Sequence, residues 1–261
     1  MQGWDKLPEK FRDNVNRLHL MNAEYKHMQW DEKTLREECA KISKECVAKY
    51  DSFEHMISRV DFGRYVILYN YGGISIDTDM YPMRSISNTP GLDKHDFIIS
   101  SAAYPYNIVG YLNNGVIICK EKHDILLKII NDIINDRRKT SDFMSKDLFV
   151  HKTTGPLFIR RELEPFMDRI YILDYKYYEP CVSADKFCKV SDEAIMDHRH
   201  ELSWMSEPLK IFMVVCFFAL HYIWLILVII VGFIVYAFRK SLFKTIETKR
   251  TQSLKKKVRI A

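Results

Sequence analysis

Three features of the sequence predict an α/β domain followed by a single transmembrane helix. Segments of helical and strand period alternate through residues 1–205, the pattern of a mostly parallel sheet covered on both faces. A run of 28 residues without a formal charge, Ile211 to Phe238, comes next. Finally, the short apolar strand ISID ends in two carboxylates one residue apart, Asp77 and Asp79, at the strand end where such sheets collect ligands.

Taken in order, Asp31 is placed to cap a helix through TLREECAKISKECVAKY, and a second helix is expected from about Ser52 to Tyr71, stopped by Gly72 and Gly73. ISID follows as a strand, then DFIISSA and NNGVIIC as two more. DILLKIINDIIND has the spacing of an amphipathic helix, TTGPLFIRREL reads as a turn entering a helix, and RIYILDY as a last strand. No internal repeat or low-complexity linker divides residues 1–205, so they form one domain.

The uncharged run exceeds the roughly 20 residues that cross a bilayer, and residues 209–238 are therefore expected to form a membrane-spanning helix. His221 within it reads as a neutral side chain near the headgroups. Residues 239–261 carry nine Lys and Arg against Glu247 alone, which places this tail in the cytosol and the domain on the lumenal side. Most of the formal charge of +5 comes from this tail, so the domain is close to neutral and calls for no nucleic-acid partner.

Residues 1–30 contain no apolar run to carry the domain across a membrane; the expectation is that the sequence has lost its beginning or that the charge rule fails here. Cys39 and Cys46 lie seven apart on one expected helix, about 10 Å along its axis, too far for a disulfide. Cys181 and Cys188, in a loop-like stretch, could pair, and no Asn-x-Ser/Thr sequon is present.

Two carboxylates flanking one residue at a strand tip can both reach one hard cation, and Mg²⁺ or Mn²⁺ held this way keeps sites open for substrate phosphates. The preceding helix carries Arg59, Asp61 and Arg64. Asp61 and Arg64 share a face, so they read either as a local ion pair or as contacts to a ribose and a diphosphate.

The motif R-x-D-x-x-R-Y-x-x-L-Y-x-Y-G-G-I-x-x-D-x-D, from Arg59 to Asp79, resembles the signature of the family 32 glycosyltransferases. The stretch GWDKLPEKFRDNVNRLHLMNAEYKHMQWDEKTLRE is similar to that family's opening, where an extended strand precedes a Trp-Asp pair. NNGVIIC, TTGP and HELSW resemble its later elements. The resemblance implies a GT-A (Rossmann-like) nucleotide-sugar-binding domain, a divalent metal (Mn²⁺ or Mg²⁺) and a nucleotide-sugar donor. It further implies that Asp79 binds metal, Asp77 ribose and metal, Asp61 the nucleotide, and Arg64 the sugar or diphosphate, with Arg59 beside them. His200, Ser203 and Trp204 would close the donor site, with His200 or Ser203 near the metal and His198 as the alternative to His200. Asn113 or Asn114 would face the sugar or acceptor, although Asn114-Gly115 is also a turn pair.

The family's first strand, an apolar run ending in His-Gln, has only Met1 and Gln2 in its place, and Ser75 stands where an aromatic is usual. Likeness to the inositol phosphoceramide mannosyltransferase subgroup implies GDP-mannose, with UDP-galactose close behind, and retention at the anomeric carbon. It also implies a lipid or glycan acceptor, a Golgi or ER membrane, and room for a membrane-protein partner subunit. Two rivals remain open. One is a phosphatase with a nucleophilic first Asp, which usually has Thr or Val where Met80 and Tyr81 stand. The other is a scaffold that keeps the fold without catalysis.

Overall fold

The computed structural model describes residues 7–201 and 204–258, with side chains as far as Phe243. The chain divides into two compact units, Met1–Val214 and Val215–Ala261. In the first unit a four-stranded sheet has the order β1 (Gly73–Ile76), β4 (Leu112–Cys119), β3 (Phe97–Ser101), β5 (Tyr171–Leu173). Side chains alternate across it, as the two-residue period of a strand requires. Phe97, Ile99, Ile117 and Cys119 enter one core, and Ile98, Val116 and Ile118 another. Both faces are therefore covered, as the continuous apolar runs predict.

The sheet is mixed rather than mostly parallel. β1 and β3 each pair antiparallel with β4, and only β3 with β5 is parallel. The reason lies in the connection between β3 and β4. Residues 102–111 hold no more than one 3-10 turn, Tyr106–Val109, and so short a link cannot make the crossover that parallel neighbours need.

One face carries the helices. α2 (Glu32–Ala40) begins at Asp31, whose carboxylate accepts the Thr34 N–H at 2.8 Å. The expected continuous helix breaks, because Ser43 caps a new one, α3 (Lys44–Ser52), by accepting the Cys46 N–H at 3.1 Å. The break brings Cys39 and Cys46 close enough to interact, so the distance reason fails, but both are buried free thiols and the expected absence of a disulfide between them holds. α4 (Met56–Tyr71) packs so closely on α2 that a Cβ on Gly63 would lie 2.9 Å from Leu35. It stops at Gly72, whose φ of +63° favours glycine. α5 (Asp124–Asn135) buries Ile125, Leu126, Ile129, Ile130 and Ile133 on one stripe. α6 (Lys146–Thr153) and α7 (Pro156–Leu163) complete the layer, with Pro156 in the first turn of α7.

The other face is covered by α1 (Glu9–Met21) and by a two-stranded sheet of β2 (Met80–Pro82) and β6 (Met196–His198). Between α1 and Asp31 no strand forms, where the family resemblance implies one. Cys181 and Cys188 are joined in a disulfide.

The apolar run falls on α8 (Glu207–His221) and α9 (Ile223–Val258), separated at Tyr222 rather than forming one helix. Helical hydrogen bonds continue on both sides, Tyr222 N–H to Phe218 O and Ile226 N–H to Tyr222 O, each 3.0 Å. In the second unit the segment Ile223–Phe243, 21 residues of mean hydropathy 2.2 and unburied, is long and apolar enough to cross a membrane.

Candidate active site

Asp77 is the first residue beyond β1, and its N–H still donates to Gly115 O of β4 at 2.9 Å. Directly opposite, the β3–β4 register jumps from Ile99–Ile117 to Ser100–Asn113, a bulge that re-aims Asn113, Asn114 and Gly115. Arg64, on the buried side of α4, donates one guanidinium nitrogen to Asp77 Oδ1 and another to Asn114 O. Its guanidinium is thus committed within the fold, and the local Asp61–Arg64 pair does not form. Asp61 accepts instead from Asn114 Nδ2 and Thr154 Oγ1, each at 3.2 Å. Burial pushes the Asp61 carboxyl up to about 7 against the pull of Arg64, with Asp77 adding to the rise. Burial likewise raises Asp77, opposed by Arg64. Gly115 leaves the room these groups need: a Cβ there would lie 2.8 Å from Asn113 Oδ1 and 3.0 Å from Asp77 Oδ2. Asn113 Oδ1 accepts the Gly115 N–H at 2.7 Å, while its Nδ2 is buried without a hydrogen-bond partner among the described residues.

Asp79 is held from the other side. Pairing of Met80 with His198 brings the end of β6 against it. Arg199 N–H donates to Asp79 O at 3.1 Å and Glu201 N–H to Asp79 Oδ2 at 3.2 Å. His198 Nε2 lies 3.3 Å from Asp79 Oδ2, and its Nδ1 lies 3.5 Å from Glu179 Oε1. His200 Nδ1 is 3.6 Å from the same Glu179 oxygen, and its Nε2 is 2.7 Å from Cys181 O. Burial works against a charge on His198, yet the two carboxylates outweigh it and raise its pKa to about 10. Burial also presses Asp79 upward, and the His198 hydrogen bond wins, leaving it below the usual carboxylate range. Burial and neighbouring His198 lower His200.

These groups line one cavity of about 570 Å³, a size that suits a small-molecule ligand. Asp61, Arg64, Asp77, Asp79, Asn114, His200 and Trp204 are among its walls. The Trp204 ring lies 5.2 Å from that of His151. Arg59 is not in the cavity wall. It pairs with Glu32 and donates to Phe53 O at 3.2 Å, because its place on α4 points it toward α2. This corrects its expected place beside the donor. Ser203 lies outside the described residues.

His198, with Asp79, and Glu179 behind it, occupy the position expected of His200 or Ser203. Glu179 was missed by sequence reasoning; its only signal is a lone charge within the apolar stretch YYEPCV. The donor set of Asp77, Asp79 and His198 fits a divalent cation. The 3.3 Å between Asp79 Oδ2 and His198 Nε2 is close to the edge spanned by two ligands each about 2.1 Å from one ion, and ligand atoms of Glu179, His198 and His200 lie within 4.8 Å of one another beside them.

Fold and site together define a mixed α/β protein with a cavity lined by Asp61, Asp77, Asp79 and Glu179. Residues 8–98 match the family model described as glycosyltransferase sugar-binding region containing DXD motif. An uncharacterized glycosyltransferase of Acanthamoeba polyphaga mimivirus is 26% identical over 212 residues, 78% of this chain and 80% of that protein. Inositol phosphoceramide mannosyltransferase 3 of Schizosaccharomyces pombe is 27% identical over 162 residues, 60% of this chain and 42% of the relative. The same yeast's inositol phosphoceramide mannosyltransferase 1 is 25% identical over 158 residues, 59% and 46% of the two chains. The matched region therefore spans less than half the length of either yeast relative. These matches support a glycosyltransferase of the family 32 type.

Proposed function

We propose that the chain is a metal-dependent, retaining hexosyltransferase of the GT-A kind, moving mannose from GDP-mannose to a lipid or glycan acceptor at a membrane. The observation that carries it is the pair Asp77 and Asp79 in one cavity, the first tied to a fixed cation of the fold and the second to a histidine. Asp79 and His198, with Asp77, would hold Mn²⁺ or Mg²⁺, which when bound neutralises the diphosphate of the departing nucleotide. Arg64 holds Asp77 in place, Asp61 orients Asn114, and the free Asn113 amide is available to the transferred sugar or the acceptor. Trp204 closes the cavity. The acceptor hydroxyl attacks from the face the nucleotide leaves, and its proton passes to the departing phosphate oxygen.

The yeast relatives' names favour mannose and a lipid acceptor, and the apolar segment Ile223–Phe243 favours a membrane. The Cys181–Cys188 disulfide fits an oxidising lumen with the basic tail in the cytosol, in Golgi or ER. The test uses the full chain in nanodiscs with Mn²⁺ and a panel of nucleotide sugars that includes GDP-mannose and UDP-galactose. One donor should be consumed, and Asp79→Ala should lower turnover by about 100-fold or more, the loss of one transition-state charge stabiliser. Full activity in Asp79→Ala would overturn the mechanism. If calorimetry shows binding of neither metal nor nucleoside diphosphate, the chain is a scaffold.

A further inference from the structure

The metal-site reading leaves Glu179 without a role, and its surroundings are more constrained than a surface carboxylate's. It is 8% exposed, and its position is fixed from both sides. Before it, Tyr178 is fully buried with its hydroxyl 2.6 Å from Thr89 Oγ1, and Glu179 N–H donates to Tyr175 O at 2.8 Å. After it come Pro180 and the loop closed by the Cys181–Cys188 disulfide, whose Cys181 carbonyl grips His200 Nε2. The rings of His198 and His200 lie 4.0 Å apart, both with Nδ1 toward Glu179 Oε1.

Two atoms in this cluster are buried and make no hydrogen bond to any described residue, His198 Nδ1 and Glu179 Oε2. The carboxylate oxygen nearest His198 Nδ1 is Glu179 Oε1, at 3.5 Å, and a buried imidazole nitrogen and a buried carboxylate oxygen left without partners are each costly. An imidazole can serve a cation through Nε2 only if that nitrogen is free of its proton, which then sits on Nδ1 and needs an acceptor. Glu179 is the acceptor in place.

Resting on the metal-site reading above, we propose that Glu179 is a positioning residue. It accepts the Nδ1 proton of His198, so that the Nε2 lone pair is turned toward Asp79 and the ion. His200 and the disulfide loop keep the carboxylate from swinging away. Outer carboxylates of this kind change metal affinity without touching the metal.

The test measures Mn²⁺ affinity by electron paramagnetic resonance titration of the full chain with GDP present, beside thermal unfolding of the metal-free protein. Glu179→Gln keeps the shape and removes the charge. It should bind Mn²⁺ about 10-fold or more weakly with an unfolding midpoint within a few degrees of the parent. Glu179→Ser serves the same purpose if the first variant does not fold. Parent affinity in the variant overturns the proposal, and so does an affinity loss that only accompanies collapse of the midpoint, since the role is then structural. Asp79→Ala separates the two ideas: it should lose Mn²⁺ binding, and if it binds like the parent the metal-site reading itself has failed.

Discussion

Asp77 and Asp79 stand one residue apart and are governed by different parts of the molecule. Asp77 is gripped by Arg64, a buried permanent charge on α4, and by the bulge in β4. Asp79 is gripped by the end of β6, where His198 is the neighbouring cation. Arginine cannot give up its proton, whereas a histidine can exchange a proton for a metal. The comparison sets a carboxylate paired with a permanent charge of the fold against one paired with a side chain that can titrate.

The comparison can be broken most forcefully at Arg64. Arg64→Ala would strand the Asp77 carboxylate beside Asp61 and Asp79, and urea unfolding should show a loss of about 3 kcal/mol; a loss under about 1 kcal/mol would mean that Asp77 needs no partner. Next, Gly115→Ala would press a methyl group on Asn113 and Asp77, costing about 1–2 kcal/mol and slowing transfer, by the same unfolding experiment and a donor-turnover assay.

The third prediction sharpens the Asp77 side through pH. The Asp61 carboxyl, raised to about 7 by burial, holds its proton more tightly folded than unfolded. Its contribution to stability is therefore present below the ordinary carboxylate pKa and is lost as pH rises toward about 7. Asp61→Asn has no such loss, so the midpoint of the variant minus that of the parent should climb between about pH 4 and pH 8 in metal-free protein; a flat difference would refute the buried proton. Smallest of all, Arg59→Ala should cost about 0.5 kcal/mol and leave donor binding unchanged, because its pair with Glu32 is partly exposed and outside the cavity.

The two sides also differed in how readable they were. Asp61, Arg64, Asp77 and Asn114 come from a helix, the strand after it and a nearby strand, and the family resemblance named all four, with Asn113 left as the alternative to Asn114. Nothing local ties Glu179 and His198 to Asp79, which meet through β2–β6 pairing between short strands of three residues each. Strands so short carry no period, and the choice between His198 and His200 turned on which one the pairing faces to Asp79. Arg59 failed for the opposite reason: its spacing from Asp61 placed it in the motif, but the rotation of α4 against α2 gave it to Glu32.

Residue chemistry along the chain was sufficient for the helices with caps and stripes, the apolar strands, the Asp-x-Asp tip and the membrane-length segment, because each depends on neighbours within a few positions. Tertiary structure alone decided the antiparallel pairing of β1 with β4 and the histidine beside Asp79. Those depend on which distant surfaces meet, and packing free energy is shared among residues that no local pattern connects.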